Sequence, residues 1–278
     1  MKVRFWGVRG SFAMSGADFL RYGGNTTCLE VLNAAGRRLV IDLGTGATEL
    51  GRQLMAGDFG RGRGSLEILL SHTHLDHIQG LPFFSPFFVE GNRARIHGAD
   101  PASLGLEATL QNQLAPQYSP LGSLDNLSAE VDIEPFVPGA RLALDGFDVA
   151  TAAVPHGNMW TTAFRITADG KTLTFLSDVE YPAPDQPTRE ALDLAADTDL
   201  LIHDAMHADH EYGLRKGWGH SPVAAGVHLA HAVGAHRLVL FHHSPDATDA
   251  MIDAIVAEAQ RSSKVPVFAA AEGHYLEV

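Results

Sequence analysis

Residues 72–77 read His-Thr-His-Leu-Asp-His, directly after the apolar run Leu66-Glu67-Ile68-Leu69-Leu70. A buried strand that empties into three imidazoles and a carboxylate demands a fold that gathers donor groups at a strand end. Imidazole nitrogen and carboxylate oxygen suit zinc first, with manganese or iron as alternatives, in a hydrolytic site. His72 and His74 alternate, so an extended backbone sends both the same way. Asp76 and His77 are adjacent and point elsewhere, which suits a second ion beside the first. The chain has 15 His, so a lone histidine carries little weight. Four donor side chains in this order after a buried strand carry far more.

The 278 residues, 45% hydrophobic and 19% charged, fit one globular domain over 1–278 with a sizeable core. No apolar stretch is long enough to cross a bilayer, and the start alternates like a strand rather than a signal segment. Cys28, the single cysteine, excludes an internal disulfide and points to the cytoplasm. In the strand-like Thr27-Cys28-Leu29-Glu30-Val31 it reads as a small buried hydrophobe. The formal charge of −13 opposes an extended nucleic-acid groove, because phosphate-backbone binding draws on Lys and Arg. It does not oppose a small phosphate ester, since two divalent cations make a pocket locally positive.

Period-two patterning predicts strands at 2–6, 27–33, 38–42 and 66–70, with a helix from Ala47 to Met55 entered through Gly44-Thr45-Gly46. Residues 79–128 are mixed and hold a helix around 102–114. Strands follow at 130–134, 148–154, 162–168 and 172–176. Strands at 199–203 and 237–241 then alternate with helices at 188–195, 221–233 and 247–261, before a last strand at 274–278. Two β-rich stretches, each followed by helices, predict two sheets packed face to face with helices outside.

Three later segments end strands in donor residues: Pro155-His156-Gly157, Ser177-Asp178 and His242-His243-Ser244-Pro245. Counting donors assigns His72, His74 and His156 to one ion, and Asp76, His77 and His242 to the other. Asp178 bridges them, since a carboxylate has two oxygens. Each ion keeps an open position for a shared water acidified to hydroxide. His243 competes with His242, which is preferred as nearer the strand end.

This set, His72-x-His74-x-Asp76-His77 with His156, Asp178 and His242, resembles the ligand pattern of the metallo-β-lactamase superfamily. The resemblance implies an α+β fold, the four-layer αββα sandwich, with a dinuclear site at one edge. Asp178, where β-lactamases often place Cys, makes the chain similar to the ribonuclease Z and phosphodiesterase branch. Trp6-Gly7-Val8-Arg9-Gly10-Ser11 and Tyr22-Gly23-Gly24-Asn25-Thr26 resemble a bacterial group of metal-dependent hydrolases. Leu201-Ile202-His203-Asp204-Ala205 and Gly219-His220-Ser221 resemble the His-Glu-Ala and Gly-His-Ser motifs of ribonuclease Z, whose acidic residue and later His work as a pair. Here Asp204 replaces the longer Glu. The ribonuclease Z arm that grips tRNA has no counterpart insertion, and the family's frequent dimerisation makes a homodimer one oligomeric state to expect.

Ser221-Pro222 reads as an N-cap with Pro in the first helical turn, which puts His220 just outside a helix N-terminus. There it can grip a phosphate oxygen or protonate a leaving alkoxide. Asp76 is expected to orient the nucleophile, and the resemblance implies that Asp204 completes the catalytic set with His220. Arg9, Ser11, Asn25 and Thr26 are candidate substrate contacts, with turn chemistry as the alternative. Asp42 reads as a hydrogen-bond support of the metal loop. His207, His210, His228, His231 and His236 lack ligand-like context, and the run from Phe83 to Phe88 reads as core or pocket wall. The expected activity is hydrolysis of a small or cyclic nucleotide-type phosphodiester. Thioester, lactone or lactam hydrolysis, RNA 3′ processing and a non-catalytic metal-stabilised binding domain are the alternatives.

Overall fold

The structure is a computed structural model and describes residues 1–99 and 104–278. Its strands are β1 (Lys2–Gly7), β2 (Cys28–Leu32), β3 (Arg38–Ile41), β4 (Ser65–Leu70), β5 (Arg93–Ala99), β6 (Glu130–Phe136) and β7 (Arg141–Leu144). They continue with β8 (Phe147–His156), β9 (Met159–Ala168), β10 (Lys171–Leu176), β11 (Leu200–Asp204), β12 (Leu238–Phe241), β13 (Val267–Ala269) and β14 (Tyr275–Glu277). The α-helices are α1 (Gly46–Leu54), α2 (Leu75–Ile78), α3 (Leu106–Gln113), α4 (Arg189–Ala195), α5 (Tyr212–Arg215), α6 (Val223–Ala232) and α7 (Asp249–Ser262).

The strands form two sheets of like design, ordered β14-β1-β2-β3-β4-β5-β6 and β13-β12-β11-β10-β9-β8-β7. In each, one part is antiparallel and the other parallel. Alternation assigns each side chain to a layer. Leu69 of β4 joins Phe5, Ile41, Phe164, Phe175 and Phe241 between the sheets, while Leu66, Ile68 and Leu70 face the helix layer with Leu50 of α1 and Leu110 of α3. Likewise Ile202 and Val239 enter the inter-sheet core, and Leu201 and Leu240 pack outward with Ala191 of α4 and Leu229 of α6. The result is the α+β four-layer sandwich. Strands β3, β4, β10, β11 and β12 bring their C-terminal ends to one edge, where the parallel pairings align them.

Several local expectations need correction. Within 79–128, β5 was not foreseen: Arg93, Arg95 and a glycine mask it, although Ala94 and Ile96 alternate inward. Strand β7 pairs with β8 across Asp145-Gly146, both at positive φ, the backbone of a tight hairpin turn. Strand β13, three residues long, was also missed. The helix expected around 102–114 is α3, and residues 102–103 of that span lie outside the described residues. Helix α6 takes Pro222, not Ser221, as its N-cap, because the buried Ser221 hydroxyl donates instead to the Val179 carbonyl at 2.6 Å. In the aromatic run, Phe84 and Phe87 form an edge-to-face pair in the core, whereas Phe83 and Phe88 are exposed.

Candidate metal centre

Four strand ends and one helical turn build the site. After β4 the chain stays extended through His74, the N-cap of α2, so His72 and His74 face the same cleft with ring centroids 4.5 Å apart. Asp76 and His77 then lie on the single turn of α2, which swings them to a second side. His156 ends β8, Asp178 follows β10 and His242 follows β12. Asp178 and His242 adopt positive φ, 55° and 59°, as does Asp42 at 61° after β3. Non-glycine residues in that region are strained by roughly 1–2 kcal/mol, and the surrounding contacts hold them there.

The donors fall into two sets that share Asp178: His72, His74, His156 and Asp178; then Asp76, His77, His242 and Asp178, with donor atoms in each set within 4.8 Å of one another. Asp178 Oδ1 lies 3.8 Å from His72 Nε2 and 4.0 Å from His156 Nε2. Its Oδ2 lies 3.1 Å from His77 Nε2 and 3.3 Å from His242 Nε2. His77 Nε2 and His242 Nε2 are 3.3 Å apart, as are His156 Nε2 and His74 Nδ1. Two ligands at zinc bond lengths around a tetrahedron are separated by roughly 3.4 Å, so this spacing fits cations of that size. His72 Nε2 is buried without a hydrogen-bond partner, and a buried orphan nitrogen among carboxylates calls for a cation. The donor chemistry is that of a divalent-metal centre.

The backbone of the site is fixed from behind. Asp42 Oδ2 accepts from His77 Nδ1 at 2.7 Å and from the Ser71 hydroxyl at 2.9 Å, and Oδ1 accepts from Ser71 N–H. That bond puts the His77 proton on Nδ1 and turns Nε2 to the cleft. Asp42 thus occupies the supporting place expected of it. His156 Nδ1 donates to the Gly219 carbonyl at 2.6 Å with the same effect. Gly219 has a φ of 93°, and a Cβ there would collide with His156 Nδ1. Glu180 holds this loop by accepting from Gly217 N–H, Gly219 N–H and the Tyr212 hydroxyl. Sequence reasoning missed Glu180: nothing distinguishes it from any acidic residue that follows a strand.

Asp204 spans the one-methylene deficit against Glu. Its Oδ2 accepts from His220 Nδ1 at 2.9 Å and from Asp178 N–H at 3.0 Å, and its Oδ1 accepts from Met206 N–H. Burial alone lowers the His220 pKa, but the Asp204 carboxylate, its hydrogen bond and the charges of Asp178 and Asp76 outweigh it and push the group up to about 9. Asp204 is held below its ordinary value: burial opposes this, and the charge and hydrogen bond of His220 prevail. His220 also stands 3.9 Å from Asp178 Oδ1, within the cleft. Of the discounted histidines, His207 is buried beside His220, with ring centroids 5.9 Å apart. His231 accepts from Lys264 N–H on the outer helix layer.

His243 turns away from the cleft and donates Nε2–H to the Ala270 carbonyl at 3.0 Å; burial drives its pKa down to about 3. Three of the four expected substrate contacts also point elsewhere. Arg9 is fully buried, donating to the Gly23, Ser244 and Ala247 carbonyls. Asn25 binds Glu272 and Thr45, and Thr26 Oγ1 accepts from Thr45 N–H. These polar groups satisfy partners within the protein, backbone for Arg9 and Thr26 and side chains for Asn25, which a sequence cannot separate from ligand binding. Ser11 stays at the site: its N–H donates to Asp76 Oδ2 at 2.8 Å, and its side chain is exposed.

Residues 37–243 match the family model described as the beta-lactamase superfamily domain. A ribonuclease Z of Bradyrhizobium diazoefficiens is 28% identical over an alignment covering 83% of this chain and 87% of that one. Among solved structures, the metallo-beta-lactamase fold protein YhfI of Bacillus subtilis superposes with a TM-score of 0.73 at 20% identity, covering 100% of this chain and 98% of that one. The short form of human tRNase Z superposes with a TM-score of 0.69, also at 20% identity, covering 100% of this chain and 99% of that one.

Proposed function

The chain belongs to the beta-lactamase superfamily and is a metal-dependent hydrolase; from that premise we propose that it hydrolyses small phosphodiesters of the nucleotide type. His72, His74, His156 and Asp178 would hold one divalent cation, and Asp76, His77, His242 and Asp178 the other, with zinc favoured by the nitrogen-rich donor set and its spacing. Such ions supply acidified water and offset the charge on phosphoryl oxygens. The protein's own part is positioning and proton transfer. Asp42 and the Gly219 carbonyl orient two imidazoles, and Ser11 N–H orients Asp76. Asp204 keeps a proton on His220, whose Nε2 is left to donate to a departing alkoxide.

The His220–Asp204 pair beside Asp178 carries this reading. An alkoxide is a poor leaving group that needs a proton, whereas a thioester or activated lactone needs less help. The test is hydrolysis of bis(p-nitrophenyl) phosphate by metal-loaded protein, with and without chelator. Chelator-sensitive turnover is expected. No turnover with zinc, manganese or iron, alongside turnover of thioesters or lactones that survives His220→Ala, would transfer the assignment to carbon esters. The ribonuclease Z relative favours a second reading, RNA 3′ processing. The net charge of −13 weighs against an extended RNA, and cleavage of a tRNA precursor at rates above those of small diesters would reverse the preference.

A further inference from the structure

Beside the metal loop lies a cavity of 570 Å³ whose wall includes Thr73, Leu75, Ile78, Phe83, Asn112 and Tyr118. We propose that it is a subsite for the aromatic base of the substrate, resting on the phosphodiester reading for what occupies the metal centre. Thr73 and Leu75 flank His74 in the chain, so the cavity adjoins the loop that carries the donors. Its size lies in the range of small-molecule sites.

The wall has no charged side chain, in a chain where 19% of residues are charged. It therefore suits the neutral part of a diester, not its phosphate. Leu75, Phe83 and Tyr118 are 61%, 62% and 77% exposed. Single exposed apolar residues are ordinary, but three around one opening mark a binding surface. The aromatic run makes the same division: Phe84 and Phe87 enter the core, and Phe83 is left at the cavity. Phe83 and Tyr118 offer ring faces for stacking, and the exposed Asn112 amide offers both a donor and an acceptor to a base edge. An aliphatic tail would use the apolar wall but not the amide.

The test compares adenosine 5′-monophosphate with ribose 5-phosphate by calorimetry on the metal-loaded protein. The base should tighten binding by about tenfold, and Phe83→Ala or Tyr118→Ala should remove that gain while leaving ribose 5-phosphate unchanged. Both side chains are largely exposed, so neither truncation opens the core. In parallel, a nucleoside 5′-p-nitrophenyl phosphate is compared with methyl p-nitrophenyl phosphate, which has the same leaving group. Base-dependent binding without hydrolysis of either ester supports the subsite and defeats the phosphodiester reading. Equal affinity for the two monophosphates overturns the subsite, even if both esters are cleaved. So does a change of oligomeric state in Phe83→Ala by sedimentation with base affinity intact, which would assign this face to a second copy of the chain.

Discussion

Asp204 Oδ2 lies 2.9 Å from His220 Nδ1 and 3.0 Å from the backbone nitrogen of Asp178, so one carboxylate oxygen ties the proposed proton donor to the residue shared by both donor sets. Replacing His220 by Ala should lower kcat for a phosphodiester by about 10²–10⁴-fold, the usual contribution of a positioned acid. Metal content, measured by inductively coupled plasma mass spectrometry, should stay unchanged. An unaltered kcat would remove His220 from the reaction.

Asp178 divides its oxygens between the two sets. Asp178→Asn keeps the shape but leaves one neutral acceptor, so the purified variant should hold fewer than two equivalents of metal. Two retained equivalents in the same mass-spectrometric assay would show that the carboxylate is not shared.

Gly217 and Gly219 both have positive φ, 89° and 93°, but only at Gly219 would a Cβ meet a donor side chain, the His156 ring. Alanine at either position should lower stability by about 1–2 kcal/mol through backbone strain. Only Gly219→Ala should also weaken metal affinity. Equal metal affinity in the two variants, read by competition with a chromogenic chelator, would contradict the part given to the Gly219 carbonyl.

Burial holds the His243 pKa at about 3, well below the ordinary 6.5. The unfolded chain therefore binds a proton between those values that the folded chain refuses. The stability from a neutral His243 is complete above pH 6.5 and declines as the pH falls toward 3. From pH 7 to pH 5 the loss is about 2 kcal/mol. Urea midpoints at the two pH values should show this loss in the parent protein and a smaller one in His243→Asn, whose amide can still donate to Ala270.

The sandwich and the gathered donors were legible where side-chain periodicity and residue chemistry coincide. Leu66–Leu70 reads as a buried strand, and the histidines after it have no ordinary packing role. His156, Asp178 and His242 were found because each follows an apolar run. What stayed hidden depends on backbone partners distant in sequence. Arg9 resembles a phosphate contact until its guanidinium is seen to serve carbonyls at 23, 244 and 247. Ser221 resembles an N-cap until its hydroxyl is seen on Val179. The choice between His242 and His243 is one of strand register: adjacent residues at the end of β12 diverge, one into the cleft and the other onto Ala270.

His72, His74, Asp76 and His77 come from the first sheet, while His156, Asp178 and His242 come from the second. Any cation that draws on both sets of donors is a rivet through the two halves of the sandwich. Loading should therefore raise the melting temperature of the whole molecule and not merely tighten a loop. Two fragments made by cutting between β6 and β7 would each carry an incomplete cage, and the ion would add its grip to the inter-sheet core and the β1–β14 pairing that already join them.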